Sequence, residues 1–283
     1  MTEKTIALQN GLRLRCFEAG EGPRTIVLLH GAGVDSASLS WREVLPLLAE
    51  AGCRVIAPDL PGYGGSDRIE GVYSLPFYAD TVAQFIEALH CGPVVLGGLS
   101  LGGGITLLLA LERPELFEAI IPVDAWGLFN KLRWHRLMHG FVHSALNKNL
   151  YRWSASRWMV RWSLTASLFG DKKRVTPALV GEVLAAMQAP GAGEPFRSFQ
   201  MSELTPTGVT TELFGRLREI DLPALFIHGE RDSAVPLAGA IEAQKRMKNA
   251  RLHIMHGCKH WPQKERPAEF AEAVRGFLDT LSP

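Results

Sequence analysis

Six short apolar runs, each closing on a loop, recur along the chain: TIVLLHG from Thr25, CRVIAPD from Cys53, PVVLGG from Pro93, AIIPVD from Ala119, PALFIHG from Pro223 and RLHIMHG from Arg251. They are continuous rather than alternating, so each reads as a strand covered on both faces. Segments of helical period lie between them, at Leu75 to His90, Leu101 to Glu112, Pro236 to Met247 and Pro267 to Leu281. Alternation of this kind predicts a mostly parallel, doubly wound sheet, because parallel neighbours need a crossover and the crossovers cover both faces. Ahead of them, Asn10-Gly11 between TIALQ and LRLRCF predicts an opening β-hairpin with a tight turn at positive φ. The expected class is therefore α/β, with about eight strands.

The alternation breaks once. Between Ala125 and about Pro206 the patterning is helical, with no convincing strand and no internal repeat. We read residues 126–206 as a helical cap inserted over the C-terminal edge of the sheet, and residues 1–125 and 207–283 as the core. With 47% hydrophobic and 21% charged residues the chain can bury such a core, which excludes intrinsic disorder as its main state. Thirty Lys and Arg against 29 Asp and Glu leave a formal charge of +1, so no global field marks it for nucleic acid or membrane. Four cysteines lie far apart, at Cys16, Cys53, Cys91 and Cys258, with neither disulfide-framework nor zinc spacing. The N-terminus lacks a signal-like apolar region, and no stretch approaches the roughly 18 apolar residues of a membrane span. The expected location is a reducing cytoplasm.

Chemistry enters at Gly97-Gly98-Leu99-Ser100-Leu101-Gly102-Gly103, which follows the run PVVL and precedes the helical ITLLLALE. In that context G-x-S-x-G describes a sharp strand-to-helix turn that lifts the Ser100 hydroxyl free while a helix N-terminus offers N–H groups to an anion. Serine needs a base, and the base needs an orienting acid. Asp232 lies just past the run PALFIHG and His260 just past RLHIMHG, giving the order Ser100, Asp232, His260.

With these residues the chain resembles the α/β-hydrolase fold family, serine hydrolases whose triad follows that order and which often carry a helical cap after the sixth strand. The likeness rests on His30-Gly31, on Asp59-Leu60-Pro61-Gly62-Tyr63-Gly64-Gly65-Ser66, on Gly98 to Gly102, on Gly229 with Asp232, and on His260 with Glu265, Pro267 and Phe270. The resemblance implies that Ser100 is the nucleophile, His260 the general base and then acid, and Asp232 the carboxylate that fixes the imidazole tautomer. It implies an oxyanion hole from the backbone N–H groups of Leu101 and Ala32. Asp124, where some relatives place the acid, is the alternative to Asp232. His30, His228 and Asp59 are expected to be structural, and His256 lacks the downstream spacing that supports His260.

From Gly127 to Arg174 the chain carries ten Lys and Arg against one acid, Asp171, together with Trp134, Trp153, Trp158 and Trp162. Such a stretch can mean nucleic acid or an anionic membrane. Yet Tyr151, Ala155, Trp158 and Trp162 share one face of a helix, with Arg157 and Arg161 flanking it, and a tryptophan stripe more often packs. We therefore expect Tyr151, Trp158, Trp162 and Trp261 to wall a pocket, with membrane contact the lesser reading and no nucleic-acid partner. His135, His139 and His143 recur at i, i+4 and i+8, but no acid or cysteine joins them, so no metal is expected.

The expected activity is a cofactor-independent, carboxylesterase-like serine hydrolase that forms an acyl-enzyme from an ester or similarly activated acyl group, on a small apolar or aromatic substrate. The alternative is hydrolysis of carbon–carbon bonds in ring-fission products of aromatic degradation, which the HGAG opening and His260-Trp261 also resemble. Those relatives commonly carry Asn just before the serine and Pro-Gly after HG-x-G, where this chain has Leu99 and Val34-Asp35. A ligand receptor with slow turnover on the same fold is a further rival. Ser100 excludes the nucleophilic Asp of dehalogenases.

Overall fold

The computed structural model describes residues 1–132 and 134–281. It opens with β1 (Thr2–Ala7) and β2 (Arg13–Ala19), paired antiparallel from Thr2 opposite Glu18 to Ala7 opposite Arg13. The connection is longer than the tight turn expected. Leu8 N–H donates to Leu12 O at 2.8 Å, Gly11 N–H to Leu8 O at 3.0 Å, and only Gly11 takes a positive φ, of 86°. Asn10 instead uses its side-chain oxygen to accept the Leu12 N–H at 3.1 Å, so the pair builds a wider loop with one left-handed residue.

The remaining strands are β3 (Arg24–Leu29), β4 (Cys53–Pro58), β5 (Val94–Leu99), β6 (Phe117–Val123), β7 (Ala224–Gly229) and β8 (Ala250–Met255). All eight form one sheet in the order β1-β2-β4-β3-β5-β6-β7-β8, parallel from β4 to β8 and antiparallel at β1 and β2. β5 and β7 are buried at every residue, as continuous apolar runs require.

Between β3 and β4 lie α1 (Ala37–Trp41) and α2 (Val44–Glu50). Next come α3 (Leu75–Ala88), entered through the Ser74 cap and a proline in its first turn, and α4 (Leu101–Glu112). Among the described residues, the segment between β6 and β7 adds no strand to the sheet. It holds α5 (His135–Val142), α6 (Ala145–Lys148), α7 (Leu150–Ser154), α8 (Arg157–Ser163), α9 (Pro177–Gln188) and α10 (Glu194–Glu203). The chain ends through α11 (Leu237–Arg246), α12 (Pro262–Glu265) and α13 (Pro267–Leu278).

Each face of the sheet carries its own apolar core. One joins Val27, Leu29 and Leu96 to Tyr78 and Phe85 of α3 and Ile105 of α4. The other joins Ile26, Val55 and Ile227 to Trp41, Leu45, Phe270 and Val274, and takes in Val160, Leu164, Val180 and Val183 from the inserted helices. That segment is tied down at both ends. Trp126 Nε1–H donates to the buried Glu203 carboxylate at 3.0 Å. Beside β8, Lys259 donates to the carbonyls of Thr165 and Ala166, each at 2.8 Å, and Glu265 accepts the N–H groups of Gly170 at 2.8 Å and Asp171 at 2.7 Å. Among the described residues no helix is long and apolar enough to cross a membrane.

Parallel strands bring their C-terminal ends to one edge. Ser100 follows β5, Asp124 follows β6, Asp232 lies three residues beyond β7 and His260 five beyond β8. Four neighbouring strands thus converge their loops there, where open α/β sheets bind ligands. The motif residue Phe270 is fully buried and meets Trp41 with ring centroids 5.6 Å apart, bracing α13 against α1. Phe270→Ala should cost about 3–5 kcal/mol, read from urea unfolding; a loss below about 1 kcal/mol would mean that the site empties into no fixed core.

Candidate active site

Ser100 sits at φ 52° and ψ −109°, a left-handed conformation that costs a residue with a side chain about 1–3 kcal/mol. Its surroundings hold it there. The Ser100 N–H donates to Val123 O at 2.8 Å, and its carbonyl accepts the N–H groups of Gly104 and Trp126 at 2.9 Å each. The turn brings backbone against backbone: a Cβ on Gly98 would lie 2.3 Å from Gly102, and one on Gly102 would lie 2.6 Å from Leu29 O. The two motif glycines are thus required by contact. Ser100 is half-buried, and its hydroxyl makes no hydrogen bond among the described residues.

His260 Nδ1 lies 2.7 Å from Asp232 Oδ2, both side chains nearly closed to solvent. Asp232 Oδ1 accepts the N–H groups of Ala234 at 2.7 Å and Val235 at 3.2 Å, which fixes the carboxylate within its own turn. Burial opposes an imidazolium at His260, but the charge of Asp232 and its hydrogen bond outweigh burial and push the ring up to about 9. Burial likewise opposes ionisation of Asp232, yet the His260 cation holds its carboxyl below the usual range.

Behind this pair lies a second buried acid. Asp124, at φ 42°, accepts the Gly229 N–H at 2.9 Å and stands 3.3 Å from His228 Nε2, which is itself 3.8 Å from Asp232 Oδ2. Burial and the charge of Asp232 push Asp124 well above the carboxylate range. Burial keeps the His228 ring below its ordinary value, and Nε2–H donates to Val235 O at 3.1 Å. His260 therefore meets Asp232 rather than Asp124.

The loop after β3 is built around one group that sequence reasoning passed over, Asp35, and around His30 and Asp59, both expected to be structural. Asp35, 4% exposed, accepts the Gly31 N–H at 2.9 Å, the Ser36 N–H at 2.8 Å and the Ser40 hydroxyl at 2.7 Å. His30 donates from Nδ1 to Gly31 O at 2.7 Å and accepts the Leu60 N–H at Nε2, a structural use of both ring nitrogens. Neither the Ala32 N–H nor the Leu101 N–H is taken by a loop or turn hydrogen bond among the described residues. Asp59 also closes structure, accepting the N–H groups of Ala37 and Gly65 and pairing with Arg15 at 2.6 Å.

Of the aromatic residues expected to wall a pocket, Tyr151 does so. It lines a cavity of 540 Å³ with Gly33, Val34, Tyr63 and Ala186, and an adjoining one of 770 Å³ with Met187, Arg197 and Ser198. Gly193 has no side chain because one would lie 2.4 Å from the Tyr151 ring. Trp261 is buried in the core against Phe169. Trp158 and Trp162 correct the expectation, being 71% and 57% exposed. Their helix buries Val160 instead, so the stripe that carries both tryptophans faces water. His135 and His143 lie 2.8 Å and 3.3 Å from the carbonyls of Thr205 and Leu204, and His139 packs on His143 with ring centroids 4.4 Å apart. His256 is exposed beside Glu230.

Comparisons with known proteins bear on the fold and family. A family model described as alpha/beta hydrolase fold matches residues 24–267. The chain is 28% identical to 2-hydroxymuconate semialdehyde hydrolase of Pseudomonas sp. (strain CF600), over 95% of this chain and 91% of that protein. It is 27% identical to 2-hydroxy-6-oxo-2,4-heptadienoate hydrolase of Pseudomonas putida, over 96% and 95%. In structure it is similar to a meta-cleavage product hydrolase from Pseudomonas fluorescens IP01, with a TM-score of 0.83, 26% identity and coverage of 99% and 98%.

Only neutral imidazole takes a proton, so kcat/KM should rise with pH. Its midpoint should be displaced from the ordinary value of about 6.5 toward about 9. Asp232→Asn should bring that midpoint down and lower kcat on the order of 10⁴-fold. Asp124→Asn leaves the bond between His260 and Asp232 in place and should change kcat only a few-fold. A pH-rate series on the three proteins checks both, and exchanged effects would give the orienting role to Asp124.

Proposed function

The chain belongs to the α/β-hydrolase fold family, and on that premise we propose that it is a serine-dependent hydrolase acting on a conjugated 2-hydroxy-6-oxo acid. The observation that carries the mechanism is the 2.7 Å bond between His260 and Asp232 at the edge where Ser100 stands on its turn. His260, neutral after losing its proton, takes the Ser100 proton as the oxygen adds to the substrate carbonyl. The oxyanion is met by the N–H groups of Ala32 and Leu101, the first steadied by Asp35 through the neighbouring Gly31 N–H. The imidazolium returns its proton to the leaving group, and water then hydrolyses the acyl-enzyme by the same route.

The substrate class rests on the relatives, whose names carry a 2-hydroxy-6-oxo dienoate or a hydroxymuconate semialdehyde. Hydrolysis of such a ketone breaks a carbon–carbon bond. It is feasible when the 2-hydroxyl proton has moved to C5, because the departing carbon then leaves as a dienolate conjugated to the 2-oxo group. Tyr151, Val34 and Tyr63 line the 540 Å³ cavity beside the loop after β3, a mixed wall that also holds Asp35, Arg42, Arg68 and Glu182, and in this reading the 6-substituent enters there. The inserted helices, in this reading, are the cap that closes the site, with residues 126–206 as its span.

A second reading, ester hydrolysis, is favoured by Leu99. This buried side chain stands where the ring-fission hydrolases commonly have Asn, and it offers a substrate no hydrogen bond. A panel of 2-hydroxy-6-oxo dienoates and p-nitrophenyl esters separates the two by kcat/KM. The dienoates should be preferred by at least tenfold, and preference for esters would select the second reading. Ser100→Ala and His260→Ala should each lower kcat by roughly a thousandfold or more, and the double variant should lose little beyond either. Additive losses would mean that the two side chains do not act as one unit.

A further inference from the structure

The outer face of α8 pairs exposed indoles with unneutralised cations. Trp158 and Trp162 stand one turn apart, and Trp153 on α7, which packs beside α8 on α9, is 59% exposed. Among the described residues every Lys and Arg between 131 and 174 is exposed and none is in an ion pair. Several arginines elsewhere are paired, as Arg15 with Asp59, Arg54 with Glu18 and Arg113 with Glu87, whereas scattered others such as Arg68, Arg218 and Arg275 are in no ion pair among the described residues; what sets the cap apart is that its unpaired cations are clustered. Arg161 donates to the Val175 carbonyl at 2.7 Å, which leaves its charge unopposed. The single acid of the stretch, Asp171, accepts the N–H of Lys173 with its carboxylate.

Exposed tryptophans on one stripe are costly in water unless something covers them. We propose that the outer face of α8 docks the protein on an anionic phospholipid surface, the indoles entering the headgroup boundary and Arg157 and Arg161 meeting the lipid phosphates. Indoles suit that depth because they are apolar with one polar edge, and arginine pairs well with phosphate. A second copy of this chain fits poorly, since a two-fold contact would set Arg157 and Arg161 against their like. Nucleic acid fits less well too, because the exposed Leu137 and Leu146 in the same run of helices give a base no π-face. Since no described helix can span a bilayer, the contact is peripheral.

The test is co-sedimentation of the full chain with phosphatidylcholine vesicles carrying one third phosphatidylglycerol, compared with pure phosphatidylcholine. Wild type should bind the anionic vesicles, with a blue-shifted tryptophan emission, and lose most binding in high salt. At about fivefold per basic residue near the surface, Arg157→Ala with Arg161→Ala should weaken partitioning about 25-fold. Trp158→Ala with Trp162→Ala should weaken it more than tenfold at the wild-type melting temperature, because both indoles are exposed; Arg161→Ala also removes the bond to the Val175 carbonyl, so Arg157→Ala alone, with unchanged melting and about fivefold weaker binding, controls for the arginine pair. If the tryptophan pair melts early, Trp158→Ser alone, with unchanged melting, replaces it and should still weaken binding severalfold. The proposal is overturned if wild type ignores anionic vesicles or if loss of the indoles leaves binding intact. It is also overturned if the chain forms a dimer that Trp158→Ala and Trp162→Ala disperse, or if single-stranded DNA binds it more tightly than the vesicles do.

Discussion

The backbone of Ser100 is the constraint on which the rest of the site depends. A residue with a side chain is held in the left-handed region because β6 accepts its N–H and the first turn of α4 and the start of the next loop both donate to its carbonyl. In strand-to-helix turns of this kind, such a conformation lifts the side chain free of the backbone at the N-terminus of the helix. Glycine at positions 98 and 102 follows from the close approach of β5, α4 and β3, not from any chemistry of its own. Side chains delivered by β7 and β8 need only arrive at an edge that the elbow has already defined.

Electrostatically, the buried edge holds two acids, of which one meets His260. Asp124 and Asp232 come close, with His228 between them, and burial beside a like charge pushes Asp124 well above the carboxylate range while the His260 cation holds Asp232 below it. Only Asp232 meets Nδ1 of His260. Asp124 has a role in the fold, since its oxygen accepts the Gly229 N–H where β7 ends.

Much of this was legible in the sequence because it is local. Continuous apolar runs ended within two residues of the observed strands, and the order Ser100, Asp232, His260 follows from motifs that each sit at one strand end. Non-local choices were not legible. Helical period groups Trp158 with Trp162 and says nothing about which stripe turns inward; Val160 and Leu164, packing on α9, decided that. Asp35 carried a readable signal, an acid followed by Ser36 just after HG-x-G, but its bond to the Gly31 N–H depends on how the loop folds back. Substrate preference is less legible still, since a motif fixes the turn that carries the serine and not the acyl group that reaches it.

The joint between the inserted helices and the loop that bears His260 is unusually close. A Cβ on Gly170 would lie 1.8 Å from Gly257 O, Lys259 holds two carbonyls just after α8, and Glu265 holds the two N–H groups at Gly170 and Asp171. The insertion is thus not a cassette. A chimaera that exchanges it between two members of the fold must carry the histidine loop along with it, because half of the seam belongs to each, and cutting at the ends of β6 and β7 would sever the wrong boundary.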